Sequence, residues 1–262
     1  MVELLKLVFE RVPLHLSYFF QKVDNHSIQA PFAFSLYELI SKPGFPEIKK
    51  IEDHRALLIR SGDTINYQTF GKKSSLPIDK RRKISAIVNS GISSQYKSRL
   101  LASLIKEFKC KVILELGSSL GINTAYLAEA SPQGTVYTFE GHPGLCHLAN
   151  GFFKQLNYDQ VVLLEGNIDE KLPEVLNSIT AVDFAFIDAN HTSQGLLMYF
   201  NQLINRIHKK SIIVIDDIRW SKDMHRGWKE VVKNERVSHS YDMGDVGILF
   251  FQEGIKKQNY IV

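Results

Sequence analysis

Between residues 112 and 215 the chain repeats one pattern: a short apolar run, a polar turn, then an amphipathic segment. The apolar runs lie at 112–116 (VILEL), 135–139, 161–164, 182–187 and 211–215. Each is four to six residues long and bounded by turn residues, which suits a strand covered on both faces. Two intervening segments carry helical stripes at i, i+3, i+4, i+7 spacing. One holds Leu145, Leu148, Ala149, Phe152, Phe153 and Leu156, the other Leu196, Tyr199, Phe200, Leu203 and Ile207. Crossover helices return each strand parallel to the one before. The expected class is therefore α/β, a mostly parallel sheet with helices on both faces. The end of the chain departs from this. Residues 237–241 and 246–251 flank Met243, Gly244 and Asp245, which reads as a hairpin that adds an antiparallel pair.

Upstream the pattern differs. Tyr96, Leu100, Leu101, Leu104, Ile105 and Phe108 predict one helix leading into the repeat. Residues 1–40 read as helical, with a first helix ending near Pro13, and Pro43, Gly44 and Pro46 mark 41–48 as a loop. A boundary near residue 94 follows: 1–94 is a mostly helical extension, for capping or oligomer contacts, and 95–262 is the main domain. Charge divides at almost the same place. Residues 1–109 hold 18 Lys+Arg against 10 Asp+Glu, and residues 110–262 hold 14 against 18. Lys72, Lys73, Lys80, Arg81, Arg82 and Lys83 form the densest basic run. It reads as a solvated loop or helix start, or as a patch for a polyanion.

Composition excludes several classes. Apolar residues at 44% and charged residues at 23% are those of a globular chain. Cys110 and Cys146 are too few for a disulfide framework or a four-cysteine zinc site. No apolar run approaches the roughly 20 residues of a membrane span, and Glu3, Lys6, Glu10 and Arg11 break any secretory signal. A cytoplasmic location is expected.

In open α/β sheets ligands sit at the carboxyl ends of the strands. After the first apolar run comes ELGSSLGINT, with Glu115, Gly117, Ser118, Ser119 and Gly121. Glycines there let a backbone approach a ligand, although a tight turn with no ligand would use them too. The second run ends in Glu140 and Gly141, 19 residues beyond Gly121. A carboxylate there can accept both hydroxyl hydrogens of a ribose. The third ends in Gly166, Asn167 and Ile168. The fourth ends in Asp188, Asn190 and His191, and the fifth in Asp216, Asp217 and Trp220. Acidic residues often cap helices, but polar groups at five successive strand ends point to a site.

LELGSSLGINTAYLA, TFEGHP, LLEGNIDEKLP, FAFIDANH and IIVIDDIRWS, in that order, resemble the motif set of class I S-adenosylmethionine-dependent methyltransferases. The first motif is most similar to the catechol and caffeoyl-CoA O-methyltransferase branch. Residues 25–34 (NHSIQAPFAF) and the basic run resemble the front of an uncharacterised bacterial group. The resemblance implies a Rossmann-like seven-stranded sheet of order 3-2-1-4-5-7-6, with strand 7 antiparallel. It implies that Gly117, Ser119 and the Gly121 turn hold the methionine of the cofactor, that Glu140 binds its ribose, and that Asn167 and Ile168 frame the adenine. Asp188 would lie beside the methyl donor.

The metal-dependent members of that branch bind Mg2+ through an Asp and an Asp–Asn pair. Asp188, Asp216 and Asp217 occupy those positions, with Asp217 in place of Asn. Three carboxylates suit Mg2+ or another divalent cation. Without one, Asp217 would cap a helix and Asp216 bond to backbone. His191 stands where that branch has a Lys base. It is either the catalytic base, together with Asp188, or a helix-start residue bonded to a carboxylate. The expected activity is O-methylation of a small hydroxylated acceptor. The alternatives are an RNA methyltransferase using the basic front, and a non-catalytic cofactor-binding protein. The apolar N-terminal helices could serve a homodimer.

Overall fold

The computed structural model describes residues 2–22, 31–67 and 80–262. Three helices open the chain: α1 (Val2–Gln21), α2 (Pro31–Ser41) and α3 (Lys49–Arg60). Strands β1 (Thr64–Tyr67) and β2 (Lys80–Lys83) follow, then helices α4 (Ile84–Gly91) and α5 (Gln95–Phe108). The alternation begins with β3 (Val112–Leu116), α6 (Ile122–Ala130), β4 (Thr135–Glu140), α7 (Pro143–Gln155), β5 (Val161–Glu165) and α8 (Ile168–Ser178). It continues through β6 (Val182–Ile187), α9 (Ser193–Leu203), β7 (Ile207–Ile215) and α10 (Lys222–Lys233). Strands β8 (His239–Asp242), β9 (Gly247–Phe250) and β10 (Gln258–Ile261) end it. The fold is the expected α/β class, with a mostly parallel sheet. The chain forms two compact units, residues 39–178 and residues 1–38 with 179–262. That division differs from the one drawn near residue 94 on motif content.

In the 39–178 unit, β3, β4 and β5 pair in parallel in the order β3-β4-β5, with Leu116 beside Phe139 and Glu140 beside Glu165. This is the 3-2-1 half of the expected order. Ile113, Leu114, Leu116, Val136 and Phe139 are wholly buried. Leu100, Leu101, Leu104 and Ile105 of α5 and Leu145, Ala149, Phe152 and Phe153 of α7 are buried too. Burial of a side chain of this size is worth about 1.5–3 kcal/mol, enough to fix which face of each helix turns inward. Helix α5 starts where Ser94 Oγ accepts the Lys97 N–H, and it stops at Lys109 in the left-handed region. Strands β1 and β2 form an antiparallel pair, with Arg81, Arg82 and Lys83 exposed. The basic run at 72–79 and residues 25–30 of the NHSIQAPFAF segment lie outside the described residues.

In the other unit the order is β10-β8-β9-β7-β6. Strands β6 and β7 are parallel, β9 is antiparallel to β7, and β8 and β9 form the expected hairpin. This is the 4-5-7-6 half of the order, with its antiparallel strand. Strand β10 is an addition, parallel to β8. Its sequence, QNYI, has no apolar alternation, so it carries no strand signal of its own. Helix α1 does not stop at Pro13 but runs through it to Gln21. A proline inside a helix costs about 3 kcal/mol. Tertiary contacts hold the turn beyond it: Tyr18 Oη donates to Val262 O, and Arg219 Nε donates to Leu14 O at 3.3 Å. Among the described residues no helix is long and apolar enough to cross a membrane.

Candidate functional site

The glycine turn of the 39–178 unit is held by backbone. After β3 the chain passes through left-handed φ at Gly117 (105°), Ser119 (49°) and Gly121 (78°). The N–H groups of Gly117 and Ser118 both donate to Phe139 O, at 3.1 and 3.0 Å, which lays the turn across the end of β4. Gly121 is required twice over. Its φ disfavours any side chain, and a Cβ there would lie 2.6 Å from Phe153 Cζ. Ser119 accepts a conformation unusual for a non-glycine residue, and its N–H points to Glu140 Oε2 at 2.9 Å. The other oxygen, Oε1, accepts the His142 N–H at 2.8 Å. Burial pushes the Glu140 carboxyl above its ordinary value, while the N–H groups of His142, Ser119 and Gly141 oppose that rise. A carboxylate has about four lone-pair sites, so capacity remains for hydroxyl donors.

Glu115 lies differently. It is wholly buried, and its carboxylate accepts Asn123 Nδ2 at 2.8 Å, Thr138 Oγ1 at 2.6 Å and Thr124 Oγ1. Two of these donors sit on the first turn of α6, so Glu115 fastens that helix start from below. Burial pushes its carboxyl up, against the three hydrogen bonds. Past β5, Gly166 takes φ 129° and donates to Glu140 O at 2.9 Å. Asn167 Oδ1 accepts the Asp169 N–H at 3.1 Å at the start of α8; Asn167 is exposed and Ile168 half-buried. His142 is buried as the N-cap of α7. Its Nδ1 accepts the Leu145 N–H at 3.3 Å, and its Nε2 lies 2.6 Å from Asn66 O in β1. That tie to β1 had no signal in the local sequence.

The other unit carries the remaining strand ends. Asp216 N–H donates to Ile187 O at 2.9 Å, which keeps the ends of β6 and β7 level. Asp216 is buried, and its Oδ1 accepts the Asp217 N–H at 2.8 Å. Asp217 takes φ 54°, and its carboxylate turns toward Asp188 and His191. Single donor atoms of Asp188, His191 and Asp217 lie within 4.8 Å of one another. His191 Nε2 is 4.0 Å from Asp188 Oδ1, and its Nδ1 is 3.7 Å from Asp217 Oδ2. Asp216, grouped with these in the sequence, is not in this cluster. Trp220 lies 5.7 Å from the His191 ring between centroids, and the Arg11 guanidinium sits 4.8 Å over Trp220. Nothing local in the sequence linked Arg11 to Trp220, because 209 positions separate the two.

Residues 114–218 match a family model described as a methyltransferase domain. The chain is similar to a protein-L-isoaspartate O-methyltransferase of Methanococcoides burtonii, 34% identical over 84 residues, 32% of this chain and 41% of that protein. It is also similar to Rv1703c of Mycobacterium tuberculosis, named as an O-methyltransferase candidate, 27% identical over 145 residues, 52% of this chain and 60% of that protein. The chain thus spans less than two thirds of the length of either curated relative. Among solved structures, an O-methyltransferase from Bacillus cereus in complex with SAH superposes with a TM-score of 0.59 at 18% identity, covering 81% of this chain and 96% of that one. Residues 114–218 thus resemble a methyltransferase domain, and the chain shares its fold with solved O-methyltransferase structures, among them a caffeoyl-CoA O-methyltransferase candidate from Staphylococcus aureus.

Proposed function

We propose that this chain is an S-adenosylmethionine-dependent O-methyltransferase acting on a small hydroxylated acceptor. The observation that carries the reading is Glu140, a carboxylate at the end of β4 clamped by the Ser119 and His142 N–H groups beside the glycine turn. A ribose presents two adjacent hydroxyl donors to such a group. Gly117, Ser118, Ser119 and Gly121 would hold the methionine portion, with Gly141, Asn167 and Ile168 along the nucleoside. Glu115 would act from beneath by fixing the start of α6.

Methyl transfer moves one carbon from sulfur to oxygen. The S–CH3 bond breaks with its electrons left on sulfur, and the acceptor oxygen forms the new bond and loses its proton. The protein must align the two atoms and take that proton. We assign the proton to the cluster of Asp188, His191 and Asp217. The imidazole can accept it, with a carboxylate oxygen within 4.0 Å on either side. A divalent cation fits the same donor set, which holds two carboxylates and a buried ring nitrogen with no hydrogen-bond partner. Asp188 and Asp217 would hold it, with Asp216 orienting Asp217. When bound it would supply positive charge that eases loss of the hydroxyl proton.

A nucleic-acid acceptor is the second reading, favoured by the exposed Arg81, Arg82 and Lys83. A gel shift that weakens steeply with salt would support it. A homodimer built on α1, whose Leu16, Phe19 and Phe20 are exposed, and a cytoplasmic location belong to the same proposal. The test of the cofactor site is calorimetry with S-adenosylhomocysteine. Wild type should bind, and Glu140→Ala should weaken binding at least about 100-fold, the loss of roughly two hydrogen bonds to a charged group. Unchanged affinity would remove Glu140 from the site, and no binding by wild type would remove the reading.

A further inference from the structure

We propose that Arg11 selects the acceptor: its guanidinium, laid on Trp220 beside the His191 cluster, binds a carboxylate, so that the hydroxylated acceptor is a small hydroxy acid. The proposal rests on the methyltransferase reading for the hydroxyl end of that molecule, but not for its carboxylate end.

Helix α1 brings Arg11 to this place. Arg11, Leu14, His15 and Tyr18 recur at helical spacing and are half-buried, whereas Val12, Leu16, Phe19 and Phe20 are exposed. The half-buried stripe meets the loop after β7. There Arg219 donates from Nε to Leu14 O at 3.3 Å, and its guanidinium carbon lies 4.9 Å from the Tyr18 ring centroid. Arg219 is itself buried and paired with Asp242 through both Nη atoms. Tyr18 Oη donates to Val262 O. These contacts hold the helix, so Arg11 reaches Trp220 from a fixed base.

Stacking on a ring spends the flat face of a guanidinium and leaves the N–H donors along its edge. Other arginines of the chain show what spent donors look like. Arg55 Nε donates to Glu52 Oε2 at 2.9 Å, and Arg99 Nε donates to Phe45 O at 2.7 Å. Among the described residues Arg11 has one carboxylate partner, Asp245, whose Oδ1 stands 3.9 Å away. That is about 1 Å longer than a charge-assisted hydrogen bond. The same Oδ1 lies 3.6 Å from His15 Nε2, and the Asp245 side chain is half-exposed. Asp245 is therefore a water-screened counter-ion, and the edge of the guanidinium remains for a ligand.

The charges of the site orient that ligand. Asp188 and Asp217 stand within 4.0 Å of His191 and repel an acid. Trp220 links the two ends, 5.7 Å from the His191 ring and 4.8 Å from the Arg11 guanidinium carbon. Arg11 and His191 are thus no farther apart than those two separations together, a span that one small molecule covers. Its hydroxyl goes to the acidic end, where a base takes the proton, and its carboxylate goes to the Arg11 end. A carboxylate matches the two-pronged fork of a single arginine. A phosphate, with up to about two charges, would need a further cation among these acidic groups.

The probes are 3,4-dihydroxybenzoate and catechol, which share their hydroxyls and differ by the carboxylate. Calorimetry on the full chain with S-adenosylhomocysteine present should show the acid binding at least about tenfold more tightly, the gain from a charge-assisted pair. Arg11→Gln should weaken the acid at least about tenfold and change catechol and S-adenosylhomocysteine less than about threefold. Arg11→Glu should invert the preference, so that 3,4-dihydroxybenzylamine binds more tightly than the acid. Asp245→Asn should leave the acid bound at least as tightly as in wild type. The proposal is overturned if wild type binds acid and catechol alike, if it binds neither at millimolar concentration, or if the preference for the acid survives Arg11→Gln. Equal weakening of both probes in Arg11→Gln also overturns it, since that marks Arg11 as a mere support for Trp220. The same titrations without S-adenosylhomocysteine separate the two claims. S-adenosylhomocysteine bound with no preference for the acid sinks only this proposal. An Arg11-dependent preference with no binding of S-adenosylhomocysteine sinks only the methyltransferase reading.

Discussion

The two units hold their strand-end groups by different means. In residues 39–178 the turn after β3 is fixed by backbone donors: Gly117 and Ser118 on Phe139 O, Ser119 on Glu140. In the other unit Asp188, His191 and Asp217 face one another through side chains alone, at 3.7 to 4.0 Å. Backbone N–H groups cannot rotate away, so the first arrangement is built in advance and binds at little cost in ordering. Side chains can rotate, so the second adapts. Under the proposed function, rigidity would sit where the same cofactor must fit at every turnover, and adjustment where a proton, an ion or a variable acceptor must be met.

The largest expected effect would break the rigid half. Gly121→Val places a branched side chain at φ 78° and against Phe153. It should abolish measurable S-adenosylhomocysteine binding and lower stability by about 2–4 kcal/mol in urea unfolding. Near-wild-type behaviour would mean that the turn is not held as described. Next is the adaptable half. His191→Asn should cost about 100- to 10,000-fold in kcat, with cofactor affinity within threefold and stability within about 1 kcal/mol. If affinity fell as far as turnover did, the contrast between the units would be lost.

The smallest effect sharpens the comparison through pH. Burial raises the Glu115 carboxyl above the ordinary value of 4.5 in the folded state. The folded state therefore holds a proton more tightly than the unfolded chain does. That contribution to stability is full below pH 4.5, declines as pH rises through the folded value, and then levels. Glu115→Gln removes the titration. Urea unfolding of both proteins across pH should give a difference, variant minus wild type, that climbs from pH 4.5 upward and then flattens. A flat difference throughout would place no burial penalty on Glu115.

Much of this was legible before folding. VILEL and VDFAFI mark β3 and β6 to the residue, because a buried strand needs a mostly apolar run and the turns bounding it are local. The stripes on α7 and α9 were equally plain. Strand β7 begins earlier than expected, at Ile207, since the polar His208, Lys209 and Lys210 hide its first half. Pro13 suggested a stop that tertiary contacts overrode, and the polar QNYI of β10 offered nothing to read. At the site, the strand-end positions were all visible, but the direction of each side chain was not.

By itself the sequence determined the alternation of strands and helices, the glycines that a turn of left-handed φ demands, and the polar residues at each strand end. These are local properties, set by periodicity and by which residues tolerate a given backbone angle. Only the tertiary structure decided that Asp217 joins Asp188 and His191 while Asp216 turns inward, that Glu115 is spent on the start of α6, and that Arg11 reaches Trp220. Those outcomes depend on backbone angles such as the 54° at Asp217, and on contacts between residues far apart in the chain. No short-range pattern encodes either one.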